Sequence, residues 1–117
     1  MLHTTKRILS GALLGASLCF ANSSVAQTSD LLISEYIEGS SNNKYIEIFN
    51  GTSAPIDLSD YQIRLYSNGN SSPNVTNTLS GFLADSDVVV YSNSSATIYG
   101  GSSINLGTMS FNGDDAI

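Results

Sequence analysis

The sequence predicts an all-β domain built as a two-sheet sandwich, behind a short leader that stands apart from the fold. Three observations carry this. After residue 26 no stretch repeats its apolar residues at helical spacing. Short β-branched or aromatic runs recur instead, separated by clusters of Gly, Asn, Ser and Asp. Asn-Gly pairs, which readily take positive φ, close several of those runs.

The leader has three regions. His3, Lys6 and Arg7 make a basic start, Ile8–Phe20 is uncharged and apolar, and Ser24-Val25-Ala26 has the small-x-small pattern of a cleavage site. That order describes a secretory signal peptide cut after Ala26. The apolar run is shorter than the ~20 residues of a membrane span. Lipid attachment at Cys19 would need a small residue before it, and Leu18 stands there. The expected organisation is a signal peptide over 1–26, a linker over 27–30 and a β-domain over 31–117. The expected location is secreted (extracellular, or periplasm and cell surface), with no transmembrane span after cleavage.

Beyond the leader, ten acids face only Lys44 and Arg64, and 2 − 10 leaves a formal charge of −8. The only His and the only Cys are His3 and Cys19, and there is no Trp. An exported domain of this size without disulfides must be held by its apolar core or by bound metal. Its acidic surface repels phosphate backbones, so direct nucleic-acid binding is not expected.

The strands follow in order. LLISEYIE (Leu31–Glu38) is the first, and YIEIFN (Tyr45–Asn50) is the second, ended by Asn50-Gly51. YQIRLYS (Tyr61–Ser67) is the third, closed by Asn68-Gly69. TNTLS (Thr76–Ser80) is weaker, whereas DVVVYSN (Asp87–Asn93) is strongly β-branched. Ala96–Tyr99 and Ile104–Leu106 are short, and Met109–Phe111 begins another before Asn112-Gly113. Asn68–Asn77, low in complexity, reads as an exposed loop. Alternation puts Ile46 and Ile48 on one face, and Tyr61, Ile63 and Leu65 together on another. The expected core is Ile33, Ile46, Ile48, Ile63, Leu65, Leu79, Val88 and Val90, with Leu58 plugging one end. FNGDDAI stops on an apolar residue just after a turn pair, which leads to the expectation of a C-terminally truncated domain in a longer chain.

LLISEYIEGSSNNKYIEIFN, PIDLSDYQIRLYSNG, LADSDVVVYSN and FNGDDAI together resemble the lamin tail domain as it occurs in bacterial secreted proteins. The resemblance covers nearly all of Asp30–Ile117. It implies an immunoglobulin-like β-sandwich whose chain runs on for another strand or two. It also implies a parent protein: such domains often sit near the N-terminus of secreted nucleases, including metal-dependent and endonuclease/exonuclease/phosphatase types. The domain by itself is not known as a catalyst in that family.

Five groups of residues bear on chemistry. Glu35, Glu38 and Glu47 lie beside Lys44, but paired-carboxylate hydrolysis needs two carboxylates converging on a substrate. Glu35 and Glu38, three apart on a strand, point to opposite faces. The expected reading is a structural corner in which Ser40–Asn43 bond the backbone and Lys44 offers a cross-strand ion pair. Asp57 with Asp60, Asp85 with Asp87, and Asp114 with Asp115 are oxygen-rich turns of the sort Ca²⁺ uses, but no segment has the spacing of an EF-hand loop. The expected role is capping of backbone amides, with Asp114 and Asp115 the metal candidates to test first. Without His after the leader, neither a Ser-His-Asp triad nor an imidazole base can be built, and zinc lacks its usual ligands. Asn50, Asn70, Asn74 and Asn93 open acceptor triplets for N-glycosylation that are expected to stay unmodified. Tyr36, Tyr45, Tyr61, Tyr66, Tyr91 and Tyr99 could stack on sugars or bases, yet the expected role is covering sheet faces and corners.

The expected function is a non-catalytic exported module for attachment, targeting or domain packing. Its expected partners are downstream domains of a parent chain, or cell-surface and extracellular material. The alternative is a fragment of an extracellular metal-dependent nuclease whose catalytic domain lies beyond residue 117. No catalytic or cofactor-binding residue is assigned, and Ca or Mg is expected only in a parent protein.

Overall fold

The computed structural model describes residues 27–117, so the signal peptide expected over 1–26 lies outside the described residues. The described chain runs β1 (Leu32–Glu38), β2 (Lys44–Phe49), β3 (Ile56–Asp57), β4 (Gln62–Leu65), β5 (Val75–Thr78), β6 (Phe82–Leu83), β7 (Val88–Ser92) and β8 (Ile104–Asn105). Short 3-10 turns occupy Leu58–Asp60 and Ser67–Gly69. Among the described residues there is no α-helix, and no helix long and apolar enough to cross a membrane.

One sheet has the order β1-β2-β7-β8, antiparallel except for the parallel β7–β8 pair. β4-β5 and β3-β6 form two-stranded antiparallel sheets that make the opposing layer. Ile46, Ile48 and Tyr91 of the first layer meet Leu58, Ile63, Leu65, Leu79 and Leu83 of the second in one apolar cluster, closed by Met109 and Phe111. The result is a small immunoglobulin-like β-sandwich, the predicted class.

The alternation in KYIEIF holds: Ile46 and Ile48 enter the core. The core expectations for Val88 and Ile33 do not hold, whereas Val90 is buried as expected. Ile48 pairs with Val89 and Ile46 with Tyr91, and directly opposed residues share a face. Val89 and Tyr91 therefore face the core, while Val88 and Val90 belong to the outer face. Val88 is 49% exposed; Val90 is buried, but outside the central cluster. Ile33 sits opposite Ile48, on the expected side, yet is 52% exposed because β1 is the edge strand.

Boundaries differ in short segments. Ala96–Tyr99 and Met109–Phe111 are not strands, although Met109 and Phe111 are core residues. Phe111 instead stacks on Tyr36, with ring centroids 4.7 Å apart. β3 and β6, two residues each, have no periodic signature to read. The Asn68-Gly69 turn takes positive φ at both residues, 52° and 71°, as the dipeptide predicts.

Candidate functional site

Two buried asparagines finish the central ladder between β2 and β7, one at each end. Asn50 has no exposed surface. Its amide nitrogen donates to the carbonyl oxygens of Ala54, Leu83 and Ala84 at 2.8, 2.9 and 3.1 Å. Its Oδ1 accepts from the backbone nitrogen and the hydroxyl of Thr52 at 3.0 and 2.8 Å. One side chain thus fixes the chain after β2 and joins it to β6. A Cβ on Gly51 would lie 2.7 Å from the Phe49 ring, so only glycine lets the chain leave so tightly. Asn93 does the same at the other end, donating to the Met109 carbonyl at 2.6 Å and accepting from the Ser95 nitrogen at 2.8 Å.

The corner between β1 and β2 is built by backbone bonding. The Gly39 nitrogen donates to the Asn43 carbonyl at 2.7 Å, Asn43 donates from both its backbone and its side chain to the Ser40 carbonyl, and Ser41 takes φ 54°. Asn43 Oδ1 also accepts from the Thr97 nitrogen at 2.9 Å, which ties the corner to the 97–99 loop. The Tyr45 hydroxyl accepts from the Ile98 and Tyr99 nitrogens at 3.0 and 3.1 Å. Lys44 stands opposite Glu38 in register, but its ammonium donates to the Gly39 carbonyl at 2.7 Å. The cross-strand ion pair expected there does not form; a buried ammonium is better served by the fixed carbonyl of the turn.

The three glutamates do not converge. Glu35 opposes Glu47 on the outer face, whereas Glu38 opposes Lys44 on the other. Glu47 accepts from the Ser34 hydroxyl at 2.8 Å, and Glu38 accepts from the Gly113 nitrogen at 3.0 Å and the Tyr36 hydroxyl at 3.3 Å. Burial and the neighbouring Glu38 carboxylate raise the Tyr36 phenol above its ordinary value.

The aspartates at the turns accept from backbone amides. Asp57 takes the Ser59 nitrogen at 2.9 Å, and that bond holds its carboxyl below the usual range. Asp85 takes the Ser53 nitrogen at 2.8 Å, across two loops. Asp115 takes the Asn68 nitrogen at 2.9 Å and the Asn112 nitrogen at 3.0 Å. Asp114 is exposed beside it, and the two carboxylates do not share these bonds. Among the described residues no three potential ligands of the His, Cys, Asp or Glu type gather around a point.

A groove of about 370 Å³ opens between β1 and β4, over Ile33, Ile48, Ile63 and Leu79. At its mouth the Tyr61 hydroxyl donates a short bond to Asp30 Oδ1, which also accepts from the Leu31 nitrogen at 2.7 Å. The hydroxyl, then the Leu31 amide, lowers the Asp30 carboxyl; the carboxylate in turn raises the Tyr61 phenol. Sequence reasoning missed this groove and the two asparagine hubs. The hubs' only signal was an Asn directly after each of two strong strands, and the groove had none, because LISEYIE in β1 pairs its apolar residues instead of alternating them.

A model of the Lamin Tail Domain family matches residues 24–117. No curated protein and no solved structure matches the chain.

Proposed function

The chain belongs to the lamin tail domain family, and on that premise we propose that it is a non-catalytic module for attachment, targeting or domain packing. The observation that supports this reading most strongly is what its corner carboxylates do. Asp57, Asp85, Asp115 and Glu38 each accept a backbone amide, so their lone pairs shape turns. A hydrolytic pair would instead present two carboxylates across a substrate-sized gap. Export fits the basic start, the apolar run and the small residues before Gln27.

The test is cleavage. The 117-residue chain, incubated with single- and double-stranded DNA and RNA in Mg²⁺ or Ca²⁺, is expected to cut neither. Metal-dependent cleavage that co-purifies with the folded protein and disappears in a Glu35→Gln/Glu38→Gln/Glu47→Gln variant would overturn the assignment.

A further inference from the structure

We propose that Asn68 is a deamidation site, at which the side chain reacts with its own backbone, while the fold spares Asn50-Gly51 and Asn112-Gly113. This goes beyond the attachment reading and does not rest on it. The reaction needs only neighbouring atoms and water. The Gly69 nitrogen loses its proton to solvent and bonds to Asn68 Cγ. The Cγ–Nδ2 bond then breaks, and Nδ2 takes up a proton and leaves as ammonia. Water opens the resulting succinimide. Opening at the Cγ carbonyl leaves aspartate, and opening at the backbone carbonyl leaves isoaspartate, whose main chain runs through Cβ and Cγ. Glycine in second place favours the attack in all three pairs, because no Cβ crowds the nitrogen.

The three pairs share that chemistry and differ in their surroundings. Ring closure requires ψ of the asparagine to swing until the next nitrogen lies against Cγ. At Asn50 the side-chain nitrogen is held by three carbonyls in a site without exposure, and the Phe49 ring and Thr28 hydroxyl crowd Gly51. The swing there would break the whole hub. At Asn112 the attacking atom itself is engaged, because the Gly113 nitrogen donates to Glu38 at 3.0 Å. A carboxylate at that nitrogen disfavours the anion that attacks. Asp115 also accepts from the Asn112 nitrogen and side-chain amide, at 3.0 and 3.4 Å. Asn68 is exposed, and among the described residues no hydrogen bond holds its side-chain amide. A Cβ on Gly69 would meet nothing within 4 Å, so the turn has room to rearrange. The swing releases the exposed turn bond from the Asn70 nitrogen to the Ser67 carbonyl, 3.1 Å. The bond from the Asn68 nitrogen to Asp115 precedes the rotating bond and can stay. The chain at Ala116 pairs antiparallel with Tyr66 and so leads away from this turn.

Incubation of the folded 117-residue chain at mildly alkaline pH, followed by fragmentation mass spectrometry, tests this. Asn68 is expected to convert to isoaspartate and aspartate about ten-fold faster than Asn50 or Asn112. In denaturant the three pairs are expected to convert at similar rates, since glycine follows each. Glu38→Ala, at an exposed position, frees the Gly113 nitrogen; it is expected to raise the Asn112 rate several-fold and to leave the Asn68 rate unchanged. Three results would overturn the proposal. One is conversion of Asn50 or Asn112 as fast as that of Asn68 in the folded chain. Another is an Asn68 that stays intact in the folded chain while the unfolded chain converts. The third is the same order of rates in denaturant as in the folded chain, which would make the selection a property of local sequence and not of the fold.

Discussion

At the scale of single residues, several polar side chains take the place of backbone partners that the loops lack. Asn50 is the clearest case, because both ends of its amide are used in a site without solvent. Asn50→Asp keeps the shape but turns an acceptor toward the carbonyls of Ala54, Leu83 and Ala84; thermal unfolding is expected to show a loss of about 3 kcal/mol. Ser41 illustrates the opposite case, an exposed residue held at φ 54° without a side-chain bond to justify it. Ser41→Gly is expected to raise stability by about 0.5 kcal/mol, the relief of left-handed strain less the added chain entropy. Asp30 and Asp57 have carboxyls lowered by their hydrogen bonds, so the unfolded chain takes up protons first as pH falls. Their contribution is present above the unfolded value near ~4 and is lost as pH falls through the lower folded values. In acid titrations followed by circular dichroism, the Asp30→Asn/Asp57→Asn variant is expected to lose less stability between neutral and acid pH than the parent. Tyr91, raised by burial, acts at the other end: its contribution is complete below ~10 and is lost as pH rises above that.

At the scale of elements, what could be read from the sequence depended on the contrast between neighbouring residues. In β4 apolar residues alternate with polar or charged ones, in β2 Glu47 separates Ile46 from Ile48, and the inward faces of both were assigned correctly. In β7 three consecutive valines carry no contrast, and a shift by one residue exchanges the two faces. The register against Ile46 and Ile48 decides the matter in favour of Val89 and Tyr91. Unfolding of two variants tests this: Val89→Thr buries a hydroxyl and is expected to cost about 1–2 kcal/mol, whereas Val88→Thr is expected to be nearly neutral. The corners were legible for a different reason. Asn, Asp, Ser and Gly mark turns by their chemistry, but which distant amide each one reaches depends on the assembled loops. Asp85 reaching Ser53, and Asp115 reaching Asn68, are contacts of that kind. The groove was hidden because it arises from two strands facing each other across the sandwich, and no local pattern encodes such a gap.

For the whole molecule, the charge and the turn chemistry combine into one account. Asp57, Asp85, Asp115 and Glu38 act as fixed acceptors at the loops of an acidic β-sandwich. A bound ion at Asp115 would compete with the Asn68 and Asn112 amides for its carboxylate oxygens. The most direct measurement is a calcium titration of the 117-residue chain, followed by the amide resonances of Ser53, Ser59, Asn68, Asn112 and Gly113. Each of these amides donates to a carboxylate. The expected result is that all five stay in place, with no rise in melting temperature. A saturable shift at Asn68 and Asn112, with a melting temperature that climbs with calcium concentration, would contradict the account.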